Sequence, residues 1–289
     1  MRSAVLRSRP IRAVAVAIVV LAAVASGSSW AAPRTIIEVF PGPNAITSAL
    51  AGAIAGDTLN IHTGTYEEHF TVSKNAIALQ SAGDGPVTVD GSCASSWTIS
   101  VTADGVTITR LEVIGGGFGS MTFNGVNGGG VTGSTVRDTC GNAEYGINVF
   151  GSGNFKVIGN RASGFGDAGV YIGSITFGSS TIKRNNTLGN NRGIIVENSE
   201  GATILVLTNK THGNSQTGIW ITNSDGVTVR GNSVADNHIT GIQLDRLSDS
   251  NSVTQNTVSG HHYDLSNDGG TGNCWLDNAY TTSRGDISC

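Results

Sequence analysis

A solenoid of short parallel β-strands is the fold that this 289-residue sequence predicts, and three observations carry the prediction. The tetrapeptides Gly146-Ile147-Asn148-Val149, Gly169-Val170-Tyr171-Ile172, Gly193-Ile194-Ile195-Val196, Gly218-Ile219-Trp220-Ile221 and Gly241-Ile242-Gln243-Leu244 recur with glycine spacings of 23, 24, 25 and 23 residues. Between them Asn160, Asn185, Asn209, Asn232 and Asn256 recur every 23 to 25 residues, each three places after an aliphatic residue. The runs that join these landmarks are short, rich in Val, Ile and Thr, and punctuated by Gly, Asn, Ser and Asp. That is strand-and-turn chemistry, with no sustained 3.6-residue period. A self-similar period in the twenties marks a repeat architecture. Three short strands with their turns fill about 23 residues, one turn of a parallel β-helix whose coils stack about 4.8 Å apart. No coil can bury its apolar face alone, so stacking is what stabilises the fold.

The elements follow in chain order. Residues 1–31 read as a secretory signal peptide: Arg2, Arg7, Arg9 and Arg12 form the basic start, Ala13 to Ala25 the apolar core, and Ser29-Trp30-Ala31 the small-x-small cleavage site. The apolar run is shorter than the roughly 20 residues a membrane span needs. Residues 32–289 then form one β-helix domain. Within it, 35–91 are expected to hold the N-terminal cap and first coils, 101–268 the regular coils and 270–289 a C-terminal cap. Thr35 to Phe40 reads as a strand, and Asn44 is placed to N-cap a short helix through Ala51 that covers the open end of the solenoid. In the Val-x-x-Asn units the asparagine is expected at a tight turn, in a left-handed conformation, hydrogen-bonded to its counterpart one coil away; Asn186 is an alternative to Asn185 in that column. The glycine-rich run Gly115 to Gly133 is expected to be a loose turn.

The stretch GDTLNIHTGTYEEHFTV (56–72) followed by VTVDGS (87–92) resembles the opening of pectate-lyase-like right-handed parallel β-helix proteins. The later Gly-Ile-x-Val and Val-x-x-Asn units resemble the generic repeat of NosD-type proteins. The resemblance covers most of residues 35–268 and implies a single-stranded right-handed parallel β-helix. It implies no one activity, because such folds serve lyases, hydrolases, epimerases, esterases and non-catalytic binders. It also implies that the Gly-Thr-Tyr-Glu turn, with Glu67, Glu68 and His69, is structural.

Four cysteines in an exported chain suggest two disulfides, with three pairings open. Cys274 with Cys289 closes a short terminal loop and is the first choice. Cys93 with Cys140 is then the remainder, but 47 residues is about two coils. Stacking alone would set them some 9–10 Å apart, too far for a bridge without a shift.

Charge narrows the partners. Without the leader the chain carries 13 basic and 21 acidic residues, a net charge of −8. Nucleic acid and anionic membrane both require a basic face, so neither is expected as a partner. A polyanionic sugar would need a cation such as Ca²⁺ to bridge the two. Exposed aromatics beside amides and carboxylates on a flat sheet suit a polysaccharide, whose faces stack on rings while its hydroxyls meet polar groups.

Strict alternation places the second and fourth residues of each tetrapeptide inward and the third outward. Asn148, Tyr171, Trp220 and Gln243 are therefore the expected substrate-binding column, with Ile195 between them and Asp264 in the degenerate last coil. Glu197 and Asp245 belong to the column two residues further on. Asp245 and Asp264 would then sit about 8 Å apart, within the separation used by inverting glycosidases. Arg246 and His262, with Glu197, would assist by neutralising charge or moving a proton. The expected function is binding, and in one reading cleavage, of an extracellular polysaccharide by a monomer. The rival is a non-catalytic surface scaffold or adhesin.

Overall fold

The computed structural model describes residues 34–94 and 96–289; the expected leader lies outside them. They form a right-handed parallel β-helix of about ten turns, with three sheets of 11, 9 and 10 strands. Through most of the coil, neighbours in a sheet are three strands apart along the chain. The first sheet runs from Ile36–Val39 to Cys274–Leu276, the second from Gly64–Glu67 to Thr257–Ser259, and the third from Phe70–Val72 to Ser283–Arg284. All pairings are parallel, and across the five tetrapeptides they keep the register of the sequence repeat; Asn148 lies opposite Tyr171 and Trp220 opposite Gln243.

The core lies inside the coil. Ile147, Val170, Ile194, Ile219, Ile242 and Leu265 make one stacked column of the third sheet, each fully buried. The glycine opening each tetrapeptide meets a different demand. A Cβ on Gly193 would lie 2.5 Å from the Gly218 carbonyl oxygen, and one on Gly169 2.8 Å from Asn190 Nδ2. A Cβ on Gly146 would meet Phe165 and Val136 of the core, and the next residue, Ile147, is buried as well, so two consecutive residues face in and the inward–outward alternation resets at the glycine. The residue before it consequently faces out as well.

The asparagine column is a continuous buried ladder. Asn160 Nδ2 donates to Asn185 Oδ1 at 3.0 Å, Asn185 to Asn209 at 3.0 Å, Asn209 to Asn232 at 3.0 Å and Asn232 to Asn256 at 2.9 Å. Asn185, not Asn186, is the member. The left-handed residue is the one before the asparagine: Arg184 has φ 55°, Thr208 φ 50° and Gln255 φ 55°. The side chain is therefore used for its amide. A second ladder, Asn190, Asn214, Asn237 and His261, runs along another corner.

Three expectations change. Gly115 to Gly133 is not a loose turn, for it contains the strands Gly119–Asn124 and Gly130–Thr132. The helix α1 (Ala45–Gly52) forms, but Asn44 makes no side-chain cap. The buried carboxylate of Glu68 caps it instead, accepting the N–H groups of Ile46 and Thr47 at 2.9 Å each and the Thr47 hydroxyl at 2.6 Å. Both disulfides are present, Cys274–Cys289 and Cys93–Cys140, the latter with Cα atoms 5.8 Å apart. Ser92 and Cys93 both take φ 55° and turn the chain toward the next coil, where Cys93 N–H donates to Gly115 O at 2.7 Å. That intervening corner is Gly115-Gly116, with no side chain in the way.

Candidate functional site

The outward face of the third sheet gathers most of the expected site. Asn148, Tyr171, Ile195, Trp220 and Gln243 share one column, and Ile195 is buried among its neighbours. Asn148 Oδ1 and Trp220 Nε1 are buried without a hydrogen-bond partner. The Tyr171 hydroxyl donates to Glu197 Oε2 at 2.6 Å. Gln243 Nε2 donates to Asp268 at 2.8 Å.

The reset at the glycines adds residues that strict alternation turns inward. Tyr145 and Arg192 each stand just before a tetrapeptide glycine and face out. Arg192 pairs with Asp167 and lies over the Trp220 ring, 4.7 Å from its centroid. Tyr145 packs edge-on against Tyr171 at 5.1 Å and against Phe118 at 5.5 Å, and stacks with Trp97 at 6.4 Å. The result is an aromatic strip from Trp97 to Trp220 over five strand-to-strand steps, about 24 Å along the axis. Pairs of carboxylate and donor are set into it. The only sequence signal for Tyr145, Arg192 and Asp167 was their place beside the recurring glycine.

Burial pushes the Tyr171 phenol above its ordinary range, and the hydrogen bond to Glu197 and that carboxylate's charge push it further. Burial does the same at Tyr145, followed by the charge of Asp167 and a hydrogen bond to it. Both phenols are thus protonated at neutral pH and act as hydrogen-bond donors, not as resting bases. The face offers stacking surfaces, neutral donors, and the carboxylate acceptors Glu197 and Asp167.

The proposed acid pair does not assemble. In the last coil Thr240 lies opposite Tyr263 and Ile242 opposite Leu265, a slip of two residues from the sequence reading. Ser266 takes the outward place and Asp264 falls opposite Gly241, pointing inward at 1 % exposure. The turn that follows is short, since Leu265 pairs with Ser283, and a side chain fits there. Asp264 accepts the N–H groups of Thr281 and Thr282 at 2.8 and 3.1 Å and pairs with His261 Nδ1 at 2.9 Å. Burial alone would raise its pKa, but these hydrogen bonds outweigh it and hold the carboxyl below its usual range. Asp245 closes the turn after its strand, taking the Thr222 hydroxyl, the N–H groups of Asn223 and Leu247, and the Ser248 hydroxyl. Both are structural carboxylates. Arg246 is exposed on that same turn, and His262 is exposed with its ring edge-on to Tyr263 at 4.3 Å; neither reaches Glu197 through any contact of the strip described above.

A family model described as periplasmic copper-binding protein (NosD) matches residues 68–286. No curated protein matches the chain. Among solved structures, pectate lyase Pel9A superimposes with a TM-score of 0.54 at 12 % identity, over 88 % of this chain and 79 % of that one. The alginate lyase AlyF-OU02, in complex with G6, gives 0.56 at 16 % identity over 88 % and 61 %. ORF18 of Geobacillus virus E2 gives 0.56 at 14 % over 84 % and 58 %. At such identities the likeness establishes the fold. The residues present do not fit copper. All four cysteines are in disulfides, Met121 is fully buried, and among the described residues no three of His, Cys, Asp and Glu converge on a metal position. Soft sulfur and imidazole ligands are what copper selects, and the same lack of convergence leaves Ca²⁺ no ready-made carboxylate cluster. With the matched region covering most of the sequence, the chain belongs to the NosD family.

Proposed function

We propose that the protein is exported and binds a polysaccharide lengthwise along the outward face of its third sheet. The observation that carries this reading is the run of touching rings Trp97, Phe118, Tyr145 and Tyr171, followed two coils on by Trp220 under Arg192, and flanked by the acceptors Asp167 and Glu197. Flat rings match sugar faces and the paired donors and acceptors match hydroxyls. Export is supported by the two disulfides, which persist in oxidising compartments, and by the periplasmic description of the family. It is also supported by the leader-like residues 1–31. No helix among the described residues is long and apolar enough to cross a membrane.

Cleavage is a second reading, favoured by one observation: the Tyr171 hydroxyl donates to Glu197 at 2.6 Å in the middle of the strip. Glu197 is then the group placed to take or return a proton, and Tyr171 the group that holds it in position. The test is affinity electrophoresis of the mature protein in gels cast with neutral and uronate polysaccharides. It is run beside assays for new reducing ends and for absorbance at 235 nm. Retardation is expected, and Trp220→Ala should weaken it about tenfold, the loss of one stacking surface. Turnover abolished by Glu197→Gln would establish the second reading. A protein that migrates unchanged through every gel would leave a scaffold as the better description.

A further inference from the structure

The strip is open at one end and blocked at the other. Phe70–Val72 is the edge strand of the third sheet, and α1 takes the place of the strand that would precede it. It is clamped there from both sides of that edge strand. Glu68, just before the strand, holds the helix N-terminus as described. Lys74, just after it, donates its ammonium to the carbonyls of Leu50, Ala51 and Ala53 at 2.8, 2.9 and 2.6 Å. Helix α1 walls that end of the strip, because its residues line one cavity together with the outward residues of the first strands. Trp97, the first ring of the strip, faces that wall across a cavity of about 600 Å³, within the size range of small-molecule sites. Thr47, Leu50 and Ala51 form the helix wall, and Thr71, Ser96 and Ser100 supply hydroxyls around Trp97.

We infer that this cavity is a terminal subsite: the protein takes the end of an uncharged glycan, lodging the last sugar between Trp97 and α1. The inference rests on the polysaccharide reading above and specifies its ligand. A chain lying along the rings meets the helix and can go no further, so an end fits where an internal segment would have to bend away. The preference for an uncharged sugar follows from where the charges go. Arg192 is answered by Asp167 and Arg284 by Asp268. The Lys74 ammonium is taken up by three helix carbonyls, and Glu197 presents a carboxylate to the strip. A uronate chain would have to displace the ion pairs of Arg192 and Arg284 or the carbonyl bonds of Lys74, which leaves His69 as the one exposed imidazole of the cavity lining.

The test uses the mature protein and length-graded fractions of mixed-linkage β-glucan, xylan and glucomannan, with polygalacturonate and alginate as anionic counterparts. Calorimetric titration should give one site per chain whatever its length, so that sites per gram fall as chains lengthen. The exposed Thr71 lies on the cavity floor. Thr71→Trp, and Ser100→Trp as a second plug, should weaken binding of a tetrasaccharide from the bound polymer at least tenfold while circular dichroism and melting stay unchanged. Constant sites per gram, indifference to both plugs, or binding confined to the anionic chains would overturn the inference while leaving polysaccharide binding intact. No binding by any fraction would bring down both.

Discussion

Replacing Asn209 by alanine tests the ladder that sets the coil spacing. The side chain donates to Ile182 O at 2.9 Å and to Asn232 Oδ1 at 3.0 Å. It accepts the backbone N–H of Asn185 at 2.9 Å and its Nδ2 at 3.0 Å. Asn209 is 1 % exposed and Asn185 likewise, so water cannot replace what is lost. Asn209→Ala strands two donors of Asn185, one of them backbone. Asn232 Oδ1 keeps a partner in the Asn209 N–H at 2.8 Å. At 1–3 kcal/mol for each buried unsatisfied group, the expected cost is about 4 kcal/mol. That is a large share of the 5–15 kcal/mol typical of a domain. Asn186→Ala, next to Asn185 but outside the ladder, should cost under about 1 kcal/mol. Urea unfolding followed by circular dichroism and by tryptophan fluorescence measures both, and coincident transitions confirm that the two-state treatment applies to a solenoid. Equal losses for the two variants, or a loss under about 1 kcal/mol for Asn209→Ala, would refute the assignment of the ladder as a stabilising element.

Three further outcomes are expected. Glu68→Ala leaves the N–H groups of Ile46 and Thr47 without their charged acceptor; at about 3 kcal/mol for the clamp, amide exchange across α1 should accelerate about 100-fold with the later coils unaffected. His62 Nδ1 lies 2.7 Å from Asp84 and Nε2 2.8 Å from Glu38. The Asp84 hydrogen bond, against burial and with help from Glu38, raises the imidazole pKa, while both carboxylates are lowered. The His62 contribution is therefore complete below about pH 6.5, its unfolded value, and is lost as pH rises through the folded one; the carboxylates' contribution is lost as pH falls below about 4. The melting difference between wild type and His62→Gln should peak near pH 5.5 and shrink by pH 8, and a difference that grows toward pH 8 would reverse the sign of this linkage. Finally, the chain-entropy relation gives about 4 kcal/mol for the 47-residue Cys93–Cys140 loop against about 3 for the 15-residue Cys274–Cys289 loop. The paired Cys→Ser variants should rank in that order on denaturation.

Much of the fold was legible because a solenoid writes its register into the sequence. One coil repeats the last, so the spacing of Gly169 and Gly193 states directly which residues stack. The asparagine ladder was legible for the same reason, since Asn185 and Asn209 must recur at the coil length to touch. The ladder through Asn190, Asn214 and Asn237 has the same spacing, but Thr187 and Thr211 stand where the first ladder has an aliphatic residue, only Val234 keeps that pattern, and it ends in His261. The cap was mistaken at Asn44 because Glu68 sits 22 residues beyond the Ile46 N–H it accepts; no local rule of helix capping reaches that far. The Cys93–Cys140 bridge defeated a distance argument that assumed uniform stacking, whereas two consecutive left-handed residues and a pair of glycines let that corner close.

The site was legible only where alternation is unbroken. Asn148, Tyr171, Trp220 and Gln243 follow the glycine, so counting by twos finds them. Tyr145 and Arg192 precede it, and counting by twos through the reset turns them inward. The same glycine that makes the repeat visible thus hides half of the chemistry beside it. At Asp264 the logic inverts. The position opposite Gly241 normally forbids a side chain, and where the coil ends the steric demand lapses and a carboxylate occupies it. A catalytic reading of Asp264 required it to stand in the outward column, but its partners His261, Thr281 and Thr282 show that it closes the end of the second ladder. Along this fold, chemistry is therefore to be sought on both sides of each recurring glycine, and a residue that replaces the glycine is to be read first as a plug.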